Sequence, residues 1–202
     1  MSNERLIFLT NDDSYLSKGF RHAVALASEF GRVIAIAPDR VQSGMSQAIT
    51  IHSPLFLRQV ECNERVEIYA FSGTPVDCAK IAFDHFFAER KVDLVLSGIN
   101  HGSNAAVNVM YSGTMGAAIE GSFYGVPSIG LSLDDHDADA DFRPMLPYVR
   151  RIAEQVLANG LPKGTCLNVN VPKTQALKGV RICRQTDASW GSEWCRGKHP
   201  KG

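Results

Sequence analysis

The chain has 202 residues, 45% of them hydrophobic and 21% charged, which suits one α/β domain with a single core. Lysine plus arginine equals aspartate plus glutamate at 21 each, so no global field draws the molecule to a nucleic acid polymer or a membrane surface, and any site for a polyanion must be local. Five scattered cysteines without a CxxC pair argue against a disulfide framework and a zinc site, and no apolar run nears the ~20 residues of a membrane span, so the cytoplasm is the expected compartment.

Residues 5–10 form an apolar run that ends at polar Asn11-Asp12-Asp13, and Phe20, Ala23, Val24, Ala27 and Phe30 then recur at helical spacing up to Gly31. Residues 33–37 read as a second buried strand broken by Pro38, which gives a βαβ unit with a right-handed crossover. After a loop over 38–47, residues 48–60 and 66–71 are expected to be extended. Thr74, Pro75 and Asp77 supply an N-cap, a first-turn proline and an early carboxylate, so a helix is predicted from there to about residue 90. Residues 92–96 are a third buried run ending in Ser97-Gly98, and the polar stretch that follows, through Gly113, is predicted as the longest loop.

Residues 114–124 carry Gly116 and Gly121 among alanines, so a helix there must pack backbone-close against a neighbour. Residues 126–133 form the next strand, Pro144 opens an amphipathic helix stopped by Gly160, and residues 166–171 are the last clear strand. Buried strands alternating with helices predict an α/β fold: a three-layer, doubly wound, mostly parallel, Rossmann-like sheet with a C-terminal extended segment. The domain is expected to span 1–184 and a polar tail 185–202. In such a sheet ligands bind beyond the carboxyl ends of the strands.

Three polar clusters fall at those ends: Asn11-Asp12-Asp13, Gln42-Ser43-Gly44 and Ser97-Gly98-Ile99-Asn100. Two adjacent carboxylates with two neutral oxygen donors make an all-oxygen site for a hard divalent cation such as Mg²⁺ or Mn²⁺, with positions left for water and phosphate. Taken alone, Asp12 and Asp13 would read as helix caps; the convergence of three loops favours the metal. Ser112-Gly113-Thr114, at a helix start, offers unpaired N–H groups and the positive dipole end to a phosphate, with an ordinary Ser/Thr cap as the alternative.

Other readings are weaker. The first turn has no GxGxxG, the chain has no GxxxxGK[ST], and residues 92–96 lead to Ser97 where a phosphoacceptor receiver needs aspartate. In the acidic run over 134–141, an EF-hand count from Asp137 puts Phe142 at the turn glycine and Tyr148 at the bidentate glutamate, so a solvated loop is expected. Of six histidines only His101 lies in the candidate site, either as a proton donor or phosphate ligand, or as a solvent-facing loop residue.

Seven motifs then occur in order up to about Pro172: Thr10-Asn11-Asp12-Asp13; Pro38 with Gln42-Ser43-Gly44-Met45-Ser46; Ser72-Gly73-Thr74-Pro75 with Asp77-Cys78; Ser97-Gly98-Ile99-Asn100 with Gly102 and Asn104; Tyr111-Ser112-Gly113-Thr114 with Gly116-Ala117-Ala118; Gly125 with Pro127-Ser128-Ile129; and Asn168-Val169-Asn170-Val171-Pro172. Together they resemble the SurE family of stationary-phase survival proteins and 5′/3′-nucleotidases. The resemblance implies divalent-metal-dependent hydrolysis of nucleoside monophosphates, with broader phosphomonoesterase and short-polyphosphate activity. It implies one cation, Mg²⁺ or Mn²⁺, per subunit, at positions matching Asp12, Asp13, Ser43 and Asn100. Asp12 is the expected catalytic residue, as metal ligand, base or nucleophile. Phosphate contacts are expected from Asn100, Asn104, Ser112, Gly113 and Thr114. The alternative is a module that senses metal and nucleotide without hydrolysis.

Two departures carry consequences. Ser14 follows the acidic pair where family members usually have glycine, so a positive φ there would cost stability or shift the carboxylates. The chain also looks shortened: beyond 180–184 the family continues into extended structure, whereas 189–202 is polar and ends abruptly. The resemblance implies that this segment crosses between subunits of a cytoplasmic homodimer or homotetramer. Trp190 and Trp194, lacking partners by local periodicity, are expected to bury against a neighbour, with a flexible tail or a fold-back onto the same domain as the alternative.

Overall fold

In a computed structural model that describes residues 4–174 and 176–197, seven strands form one sheet in the order β3-β4-β2-β1-β5-β6-β7. The strands are β1 (Leu6–Thr10), β2 (Arg32–Pro38), β3 (Leu57–Cys62), β4 (Val66–Phe71), β5 (Leu94–His101), β6 (Ser128–Asp134) and β7 (Leu167–Pro172). All neighbours pair in parallel except β3, which runs antiparallel to β4 at the edge. The helices are α1 (Lys18–Ala27), α2 (Pro75–Ile81), α3 (Gly113–Phe123) and α4 (Leu146–Asn159).

The central strand β1 is apolar at every position but the last because both its faces are covered. Its residues divide strictly between two cores. Ile7 and Leu9 join Phe20 and Ala23 of α1 and Val149 and Ala153 of α4, while Leu6 and Phe8 join Cys78 and Ala79 of α2. That partition is the three-layer arrangement the alternation of elements predicts.

Helix starts follow their local chemistry. Ser17 caps α1 by accepting from the Phe20 N–H, and Thr74 and Asp77 form a reciprocal capping box with Pro75 in the first turn of α2. The predicted end of α2 near residue 90 is corrected: the α-helix stops at Ile81 and widens into a π-turn, Ala82–Phe86. There Phe83 and Phe87 meet Phe8 edge-on while Phe86 turns to Tyr69. Aromatic packing outweighs helical propensity here.

The extended stretch predicted over 48–60 reduces to β3. Residues 48–56 have no strand to pair with and are tied instead to the start of α2, where the Thr74 hydroxyl donates to the Ala48 carbonyl and the Thr50 N–H donates to Asp77 at 3.0 Å. The connection over 39–56 is therefore longer than the loop after β5, part of which forms a 3₁₀ turn, Ala106–Met110.

The strand predicted to end at Leu96 runs on to His101 through a register shift between Ser97 and Asn100, with a cis peptide between Gly98 and Ile99. Gly98 has φ +129°, and a Cβ there would lie 2.4 Å from the Leu131 carbonyl oxygen, so this bulge requires glycine. The acidic run is not wholly solvated either. Asp135 is buried and pairs with Lys173 at 2.9 Å, and Lys173 also reaches Asp137.

Candidate active site

The carboxyl ends of β1 and β5 lie side by side, with Thr10 in register with Ser97. The chain leaving β1 makes a tight turn. The Asn11 amide donates to the Ser14 carbonyl and to the Ser17 hydroxyl, each at 2.9 Å, which joins the acidic pair to the start of α1. Ser14 adopts φ +79° and is buried, so this position has the conformation that glycine fits best, and serine holds it.

The start of α3 comes to Asp12. The Thr114 hydroxyl donates to Asp12 Oδ1 at 2.5 Å, and a Cβ on Gly113 would lie 3.0 Å from Asp12 Cβ. Ser112 caps the helix by accepting from the Met115 N–H at 3.0 Å. Asp12 is thus one anion at this helix start. Sequence spacing alone suggested a phosphate there; it carries no signal of the contact between Thr114 and Asp12, which are 102 residues apart.

Asp13 Oδ2 accepts from the His101 backbone N–H at 3.1 Å, so the bulge in β5 delivers a donor to the second carboxylate. The His101 ring itself packs edge-on against Phe142 with centroids 4.9 Å apart. The Asn100 amide nitrogen donates to the Gly102 carbonyl at 2.9 Å, which leaves its oxygen as the remaining acceptor. The loop carrying Ser43 is drawn in at both ends: the Gln42 N–H donates to the Asp12 carbonyl at 2.7 Å, and the Ser46 N–H donates to the Tyr111 carbonyl at 3.0 Å. Ser43 itself is exposed.

Asn104 is spoken for. Its side chain donates to Ser132 at 2.8 Å, its N–H donates to Asn170 at 2.7 Å, and its carbonyl accepts from Asn168 at 2.8 Å. These bonds explain the Asn168-Val169-Asn170 motif, because alternate positions of β7 set two amides on one side, where they anchor the loop beyond β5. Period-two alternation of asparagine was the readable signal for that role.

Burial, and next to it the Asp13 charge, push Asp12 up to about 6 from an ordinary value of 3.8, although the Thr114 hydroxyl and N–H pull the other way. Burial also raises Asp13. Among the described residues no lysine or arginine forms an ion pair with either carboxylate, and Asn11 Oδ1 and Ser97 Oγ are buried without a hydrogen-bond partner. A buried carboxylate beside a partly buried one, with spare oxygen ligands nearby, fits a hard divalent cation. No group of three His, Cys, Asp or Glu suited to a metal occurs among the described residues, so neutral donors such as Ser43 and Asn100 would have to complete the set. A surface hollow lined by Arg5, Glu29, Arg65 and Asp93 is at the opposite, amino end of the sheet.

Comparison with known proteins shows the family. The family model "Survival protein SurE" matches residues 7–192. A protein of Phocaeicola vulgatus named 5′-nucleotidase SurE is 52% identical over 197 residues, covering 98% of this chain and 76% of that one. A protein of the same name from Flavobacterium psychrophilum is 48% identical over 200 residues, with coverages of 98% and 77%. The crystal structure of the SurE protein from Aquifex aeolicus superposes with a TM-score of 0.80 at 35% identity, covering 90% of this chain and 73% of that one. With the family model matching residues 7–192 and relatives of about half identity covering nearly the whole chain, the chain belongs to the SurE family.

Proposed function

We propose that the chain is a divalent-metal-dependent phosphomonoesterase that hydrolyses nucleoside monophosphates to nucleoside and phosphate. Relatives sharing about half its residues carry the name 5′-nucleotidase. The observation that carries the reading is the adjacent pair of buried Asp12 and partly buried Asp13, with raised proton affinity and no lysine or arginine ion pair among the described residues. Asp12, Asp13, Ser43 and Asn100 would hold one Mg²⁺ or Mn²⁺ per subunit. When bound, the cation supplies charge neutralisation and Lewis acidity at a phosphoryl oxygen.

The chain's own groups do the rest. Thr114 orients Asp12 by its 2.5 Å hydrogen bond, and the His101 N–H orients Asp13, so both carboxylates are positioned before substrate binds. The Gly113 N–H and the Asn100 amide are the groups we assign to phosphate, with Ser112, Thr114 and Asn104 shaping the site through the contacts described above. Activity on 3′-nucleotides and short polyphosphate belongs to the same reading. So do a homodimer or homotetramer, a domain over 1–184 with a tail over 185–202, of which 198–202 lie outside the described residues, and a reducing compartment such as the cytoplasm, which agrees with five free cysteines.

Phosphate release from AMP and GMP with Mg²⁺ or Mn²⁺, before and after exhaustive chelation, tests the proposal. Turnover should vanish with the metal and in Asp12→Asn. Activity that survives both treatments rejects the mechanism, and tight nucleotide binding without release identifies a sensor.

A further inference from the structure

We infer that Tyr111 and Trp190 form the platform on which the base of the nucleoside monophosphate stacks, an assignment that rests on the nucleotidase reading. The two rings lie 4.6 Å apart at 34°, and both side chains are half exposed. Two large aromatics left open to water next to a catalytic loop are unusual unless something covers them.

Both are held in place from the protein side. Trp190 Nε1 donates to Asn108 Oδ1 at 2.7 Å, and the Asn108 amide donates to the Ser103 carbonyl at 2.9 Å. The Tyr111 N–H donates to the Asn108 carbonyl at 3.1 Å, and its carbonyl accepts from Ser46. The indole is therefore oriented before any ligand arrives, and the backbone that carries Tyr111 is anchored beside it.

Its position suits a nucleotide. Tyr111 is two residues before Gly113, whose Cβ, if it had one, would stand 3.0 Å from that of Asp12. Two residues reach at most about 7 Å, so the ribose is the only part of the substrate that has to bridge phosphate and base. The indole N–H and both polar atoms of the Asn108 side chain are already committed, so the platform offers a π-face and no edge-reading group. Purines should be favoured over pyrimidines for their stacking area, with little distinction between AMP and GMP.

The test compares kcat/KM for AMP and for ribose 5-phosphate, which lacks a base. Trp190→Ala should lower the AMP value about 10-fold through KM, leave ribose 5-phosphate within about twofold, and be largely restored by Trp190→Phe. An equal loss on both substrates would show that Trp190 only anchors the tail, and no loss on either would also overturn the platform. Binding is read separately in Trp194→Phe, which leaves Trp190 as the sole tryptophan of the original two. AMP with Mg²⁺ should quench its emission and ribose 5-phosphate should not. Unchanged emission at saturating AMP rejects the platform, whereas quenching without turnover keeps it and rejects the hydrolase reading.

Discussion

At the residue scale the two aspartates set the terms. Asp12 binds its proton more tightly in the fold than in the unfolded chain, about 6 against 3.8, so the metal-free protein is favoured by acid across that window and loses stability as pH rises through it. Above about pH 7 the loss levels off at roughly 3 kcal/mol. Asp12→Asn should therefore abolish turnover yet stabilise the metal-free protein at pH 7.5 by up to that amount and flatten the slope between pH 4 and 7. Urea melts in chelator would show it; an unchanged slope would mean that Asp12 is not the group responsible. Metal binding needs the ionised carboxylate, so Mn²⁺ affinity should fall about tenfold per pH unit below 6. Ser14 is a second strained point. At φ +79° its Cβ costs about 1 kcal/mol, so Ser14→Gly should raise the melting temperature by about 2–4 °C and leave Mn²⁺ affinity intact. A fall in melting temperature would show that the bond the Leu16 N–H donates to the Ser14 hydroxyl matters more.

At the element scale the site depends on two close approaches that sequence could only hint at. Gly116 in α3 is one: a Cβ there would sit 2.2 Å from the Ser46 carbonyl oxygen. Gly116→Ala must displace the loop that carries Ser43, so it should cost about 1–3 kcal/mol and weaken Mn²⁺ binding by calorimetry. Retained affinity would remove Ser43 from the ligand set. The other is the contact of β7 with the loop beyond β5. Asn170 accepts from the Asn104 N–H and, at 3.3 Å, from the Ser103 hydroxyl. Asn170→Ala strands a donor and should cost about 2 kcal/mol, with faster amide exchange over 103–112 ahead of global opening. Exchange that quickens uniformly would mean that the amide supports the whole sheet. Elements with a complete local signature, such as the capping box of α2 or the glycine stop of α4, were legible from sequence. The π-turn after α2, the extension of β5 and the loss of strand over 48–56 were not, because each is decided by a neighbour distant in sequence.

At the scale of the whole molecule, a cation bound by three separate chain segments should stabilise the entire domain. At 100 times its dissociation constant it adds about 2.7 kcal/mol, a rise of about 5–10 °C in melting temperature that Asp12→Asn should lose. An equal rise in that variant would place the ion elsewhere. The assembly expectation draws on Trp190 and Trp194, and the structure separates them: Trp190 packs at a tilt against Tyr111 of its own chain while Trp194 is exposed. Trp190 thus has a partner that periodicity could not supply. The class of fold, the order of its strands and helices, and the residues worth watching at the carboxyl ends could all be read before folding, because buried strands, caps and breakers act over a few neighbours. The folded chain was needed to show that the start of α3 holds Asp12, that the bulge of β5 brings a backbone donor to Asp13, and that the asparagines of β7 secure the loop between them. Those contacts join residues 66, 88 and 102 positions apart, and burial, which raises the proton affinity of both carboxylates, exists only once the layers have closed over them.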